Sequence, residues 1–152
     1  MKKLILVLST LLALTATAPA WSDEFIVRQS HHPVGITLDR LQAAIAGNPA
    51  LFVAARVNHA AAAEKAGLKL APIEVLIFGN PKLGTPLMHS NPRIGLDLPL
   101  RVVAWQDAQG RRWVGYTDPR KLVARYGIRD RAEVVNKIAG ALEQLTHRAA
   151  AP

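Results

Sequence analysis

The chain has 152 residues, a formal charge of +8 at pH 7 with histidine neutral, and no cysteine. Its length suits one compact domain with one core. The absent thiols exclude disulfides, thiol catalysis, thiolate metal sites and a cysteine-linked lipid anchor, so packing alone must hold the fold.

Residues 1–20 carry the three parts of a secretory signal peptide: Lys2 and Lys3, an uncharged run from Leu4 to Leu14, and small residues ending in Ala18-Pro19-Ala20. That run is shorter than the roughly 20 apolar residues a spanning helix needs. Cleavage near Ala20 is therefore expected, giving a periplasmic or secreted protein. Residues 21–147 are read as a single domain and 148–152 as a disordered tail.

Glu24 to Gln29 (EFIVRQ) reads as a strand, interrupted by His31-His32-Pro33. Thr37 is the expected cap of a helix with Leu38, Leu41 and Ile45 on one face, stopped at Gly47-Asn48-Pro49. The apolar run LFVAARV, residues 51–57, reads as a buried strand. Asn58 suits the N-cap of HAAAAEKA, with Gly67 just past its end. Ile73 to Phe78 (IEVLIF) is the third strand. It breaks into Gly79-Asn80-Pro81 and Gly84-Thr85-Pro86, read as a loop of fixed shape that can line a pocket at the sheet end.

Leu100 to Gln106 and Arg112 to Thr117 flank Asp107-Ala108-Gln109-Gly110, a hairpin turn. Asp118-Pro119 supplies an N-cap and a first-turn proline for a short helix ending at Gly127. Asp130 with Glu133 resembles a capping box before a last helix striped by Val134, Ile138, Leu142 and Leu145. The order is β-α-β-(α)-β-β-β-α-α. It predicts an α+β fold with helices on one face of a mostly antiparallel sheet. The opposite face needs a cover, and with Trp105, Trp113 and Tyr116 on the hairpin, a second subunit is the natural one.

The chemistry is sparser. Gly79 to Gly84 has the spacing of a phosphate-binding loop, yet Thr85 stands where the lysine must be, and Pro81 and Pro86 delete backbone donors. That excludes the motif. No helical histidine pair of the zinc-hydrolase kind occurs, and the adjacent His31 and His32 point to opposite sides of an extended backbone. A site assembled by folding from His59, His89 and Asp118 stays open. Ser22, Ser30 and Ser90 lack a nucleophile elbow. Arg111, Arg112, Arg120, Lys121, Arg125, Arg129 and Arg131 face only Asp118 and Asp130, a segment that can attract anionic lipid or another polyanion. Nucleic acid is not an expected partner, because most of that segment lacks stacking aromatics and export removes the chain from the cytoplasm.

The segments HAAAAEKAGLKLAPIEVLIFGNPKLGTPLM, GLDLPLRVVAWQDAQGRRWVGYTDP and YGI resemble the bacterial domain-of-unknown-function 302 family across most of the chain. The resemblance implies a TATA-binding-protein-like β-α-β(4)-α topology and a homodimer. It implies no established activity. Its functional-looking positions are His59, Asn80, Thr85, Tyr116 and Asp118. Separately, no cofactor and no resident metal are expected. Where members typically have Asp-His, this chain has Asn58-His59, and a neutral amide cannot orient an imidazole or bind a cation as a carboxylate does. Two functions are therefore carried forward: a small-ligand-binding or accessory domain with a polar pocket near His59, Asn80 and Thr85, and an enzyme using His59 as acid, base or metal ligand beside Asp118 or Tyr116. A third, contact with a membrane surface, rests on the basic segment.

Overall fold

The computed structural model describes residues 24–152, and the expected leader lies outside them. In chain order the elements are β1 (Phe25–Gln29), α1 (Val34–Ala46), β2 (Phe52–Asn58), α2 (His59–Lys65), β3 (Ile73–Gly79) and α3 (Pro81–Ser90). A 3-10 turn (Pro92–Leu96), β4 (Leu100–Gln106), β5 (Arg112–Thr117), α4 (Pro119–Arg125) and α5 (Ala132–Ala150) follow. The five strands form one sheet in the order β1-β5-β4-β3-β2, antiparallel throughout. Without the short inserted helices this is the expected β-α-β(4)-α order.

Side-chain alternation sorts the sheet into two faces. Leu76, Phe78, Val102, Ala104, Val114 and Tyr116 alternate along β3, β4 and β5 and are all buried. Helices α1 and α5 lay Leu38, Leu41, Ile45, Ile138 and Leu142 onto that face at helical spacing, making one continuous core. Val27, Val75, Ile77, Val103 and Trp105 fall on the other face by the same alternation.

Gly115 shows why that second face needs a glycine. A Cβ there would sit 3.0 Å from the Ile26 carbonyl oxygen, 3.1 Å from Val27 and 3.4 Å from Trp105. The neighbouring strand's backbone cannot move aside without losing ladder bonds, so Gly115→Ala is expected to cost about 1–3 kcal/mol in denaturant unfolding.

The structure revises several local expectations. Helix α1 begins at Val34 with Pro33 in the cap position, one turn before Thr37. Thr37 is fully buried instead, its hydroxyl donating to the Pro33 carbonyl at 3.0 Å and lying 2.7 Å from Ser30 Oγ. Strand β2 is an edge strand rather than a buried one, with Phe52, Val53 and Val57 exposed and a register shift between Val53 and Ala55. An apolar run does not report its place in the strand order. Asp130 makes no capping box: Arg131 occupies the N-cap of α5 without a side-chain bond, and Asp130 accepts the Ser90 hydroxyl at 3.0 Å.

The expected tail disorder is also corrected. Helix α5 runs to Ala150, and Ala149 and Ala150 are buried. The His31 amide donates to the Ala150 carbonyl at 3.0 Å, His32 Nε2 lies 2.7 Å from the Ala151 carbonyl, and Arg40 Nη2 donates to the carbonyls of Arg148 and Ala151 at 3.0 and 3.2 Å. Alanines give no amphipathic stripe, so pattern alone could not reveal this docking.

Candidate functional site

The segment after β3 is a helix, where a loop was expected. Asn80 is its N-cap, accepting the Lys82 amide on Oδ1 at 3.0 Å, and Pro81 fills the first turn, where a missing N–H costs nothing. Pro86 lies inside the helix and gives up one i−4 bond. Asn91 then caps the 3-10 turn by accepting the Arg93 amide at 3.1 Å.

Between this helix, the turn after it, the end of β3 and α5 lies a cavity of about 330 Å³. Phe52, Phe78, Leu83, Met88, Leu98 and Leu142 make much of its wall, and among the described residues Asn80 and Thr85 are the only polar side chains lining it. Gly79 admits the close approach that shapes one end: a Cβ there would meet Pro99 at 3.2 Å and the Phe52 ring at 3.3 Å. Gly84 leaves room on the helical wall, its would-be Cβ resting 3.8 Å from Leu98.

The wall is fastened to the body by polar links. Asp97, at the end of the 3-10 turn, accepts the Tyr126 hydroxyl at 2.6 Å and an Arg125 N–H at 3.3 Å. Asn91 Nδ2 donates to the Tyr126 carbonyl at 2.9 Å, and Ser90 donates to Asp130 while accepting from Arg131 Nε at 2.9 Å.

Of the five expected site residues, the cavity gathers Asn80 and Thr85 alone. His59 opens α2 beyond the far end of β2: Phe52 pairs with Gly79 at one end of the strand and Asn58 with Glu74 at the other. Seven residues at about 3.3 Å each put roughly 20 Å between those ends. Tyr116 points into the helix layer, its hydroxyl 3.5 Å from Glu143 Oε2. Burial, with the Glu143 charge adding to it, pushes this phenol up to about 12, so it stays protonated near neutral pH. Asp118 caps α4, accepting the Arg120 amide at 2.9 Å and pairing with the Arg120 guanidinium at 3.5 Å. Strands β2 and β5 are three spacings apart, roughly 14 Å, so His59 has neither Tyr116 nor Asp118 beside it. The expected polar pocket around His59 is therefore replaced by an apolar one away from it. Among the described residues, no three His, Asp or Glu side chains gather into a group that could hold a metal ion.

Asn58 has a structural reason to be an amide. Its Oδ1 accepts the Ala61 amide at 2.8 Å, while Nδ2 donates to Glu74 Oε1 at 3.1 Å. An aspartate could cap the helix equally well but would set a second carboxylate against Glu74, which Arg56 already pairs at 2.8 Å.

Four basic residues of the segment have acidic partners: Arg111, Arg120, Arg125 and Arg131. Arg111 pairs with Asp107 at 2.7 Å and lies 5.3 Å over the Trp113 ring. Arg125 pairs with Glu24 and Asp97, and Arg131 with Asp130. Desolvation pushes the Asp107 carboxyl up, but hydrogen bonds from Trp113 and Arg111, with the Arg111 charge, outweigh it and hold the group at about 2. A carboxylate depressed below its unfolded value of about 3.9 stabilises the fold above that value. Its contribution disappears as pH falls through about 2. Acid unfolding followed by tryptophan fluorescence should therefore show a hairpin-linked loss in that window, and Asp107→Asn should flatten it.

Sequence reasoning missed Leu83, Met88 and Leu98, and read Leu145 as a packing residue of the last helix. Leu83 and Leu87 stand at i and i+4, a helical signal inside a stretch whose glycine and prolines argued for a loop. No helix among the described residues is long and apolar enough to cross a membrane.

A family profile described as "Domain of unknown function DUF302" matches residues 26–145. The crystal structure of an uncharacterized conserved DUF302 protein from Bacillus stearothermophilus superposes with a TM-score of 0.74 at 19% identity, covering 84% of this chain and 99% of that one. That likeness shows the fold. Over 100 residues, 66% of its length, the chain is 45% identical to a protein named fluoride-specific ion channel FluC 1 of Brucella suis biovar 1 (strain 1330). It is equally similar to one named FluC 2 of Brucella melitensis biotype 1. The match spans 39% and 37% of those two proteins.

Proposed function

The chain belongs to the DUF302 family, and from that premise we propose that it is an exported binding domain for a small apolar molecule, working as a homodimer. One observation carries the binding role: a concave site of about 330 Å³ whose wall is apolar except at Asn80 and Thr85. Ligand sites typically enclose roughly 300–1,000 Å³ with few polar groups fixing orientation. A titration with N-phenyl-1-naphthylamine tests it, since this probe brightens in apolar surroundings. Wild type should give saturable enhancement. Ala141→Phe, placed on an exposed stretch of α5 that lines the cavity, should abolish it while the circular dichroism spectrum stays unchanged. Absent saturation, or equal binding by the variant, overturns the reading.

The homodimer is supported by the sheet face turned away from α1 and α5, with Val75, Ile77 and Val103, and by the exposed β2 edge with Val57 at 38% and Phe52 at 43% exposure. An apolar edge strand of this length is a ready pairing surface. Light scattering on the exported form should give twice the chain mass, and Val57→Glu should halve it. A monomeric wild type removes the dimer.

A second reading follows from the channel-named relatives: the domain serves as an accessory part beside a membrane channel. Fluoride efflux from vesicles holding the Brucella suis protein, with and without its matching 100 residues, decides it. Unchanged efflux removes the accessory role.

A further inference from the structure

We propose that the cavity holds a single-chain amphiphile with a carboxylate head, the tail among Leu83, Met88, Leu98 and Leu145 and the head at Asn80 and Thr85. This inference rests on the cavity reading above and adds the chemistry of its occupant.

Polarity is confined to one part of the wall. Asn80 caps α3 and Thr85 lies in its first half, whereas the other described residues lining the cavity carry no polar side chain. A ligand matched to that wall has one polar end and a long apolar remainder. The volume, about 330 Å³, favours a single chain over a double-chained lipid.

The polar end offers donors. Asn80 Oδ1 is occupied by the Lys82 amide at 3.0 Å, which leaves Nδ2 as the uncommitted group of a half-buried side chain. The Thr85 hydroxyl supplies a second donor. Among the described residues, no Asp or Glu lines the cavity. A carboxylate finds hydrogen-bond donors there. An alkylammonium head finds no carboxylate counter-ion.

Displacement of N-phenyl-1-naphthylamine by dodecanoate, dodecanol and dodecylamine tests the assignment. Wild type should prefer dodecanoate to dodecylamine by about tenfold or more. Asn80→Asp keeps the oxygen that caps α3 and removes the donor, so dodecanoate should weaken by about tenfold relative to dodecanol, each measured against the same variant. Thr85→Val, at an exposed position, should weaken dodecanoate in the same direction. If the probe binds but the three amphiphiles displace it equally, in wild type and variants alike, the carboxylate assignment falls while the cavity reading stands. If the probe does not bind at all, both fall.

Discussion

Leu142→Ala is expected to destabilise the domain by about 2–5 kcal/mol and to enlarge the ligand cavity in the same step. Leu142 is 2% exposed and belongs to the core cluster. It also lines the cavity, so α5 contributes one side chain to both. Truncation removes buried methyl groups and leaves a void that the helices close only in part. Urea unfolding measures the first effect, and probe affinity with longer-chain amphiphiles the second. A loss below about 1 kcal/mol would mean that α5 is not packed as described.

Ending the chain after His147 should be nearly as damaging, by about 2–4 kcal/mol. Such a truncation exposes the surface under Ala149 and Ala150 and strips the carbonyls that His31, His32 and Arg40 engage. The His31 amide would lose its partner close to the buried Ser30 and Thr37 hydroxyls. A clear fall in melting temperature is the expected readout. A tail that is merely disordered would leave the melting temperature where it was.

Much of the fold was legible because its signals are local. The Asp107–Gly110 turn places Gly110 at φ 76°, as an L-residue rarely adopts, and it joins the two strands expected on either side. Asn58 and Gly67 bracket α2 as their chemistry requires. The cap-then-proline signal opens a helix or 3-10 turn three times, at Asn80-Pro81, Asn91-Pro92 and Asp118-Pro119, whereas Asn48-Pro49 makes only a turn. Sequence reasoning used only the last. At Asn80 the following Gly84 and Pro86 outweighed it, although tertiary packing of Leu87 and Ile94, both buried, decides in favour of helix.

Position in space was less legible. Tyr116 and Trp105 belong to one hairpin, but alternation sends the phenol into the core and the indole to the opposite face. Grouping them as one aromatic surface ignored that parity. The candidate site failed similarly: β2 carries His59 away from the end where β3 delivers Asn80, a separation fixed by antiparallel pairing that no motif spacing records. The apolar wall escaped notice because leucines at a binding cavity and leucines in a core look alike in sequence.

Methyl chemical shifts locate occupancy most directly. With leucine, methionine and isoleucine methyls labelled in the full chain, adding dodecanoate should shift Leu83, Met88, Leu98 and Leu145 together in a saturable manner. Leu68 and Leu70, exposed near the α2 end of the sheet, should stay in place. Shifts centred on Leu68 and Leu70, or none at saturating ligand, would contradict a binding site beneath α3.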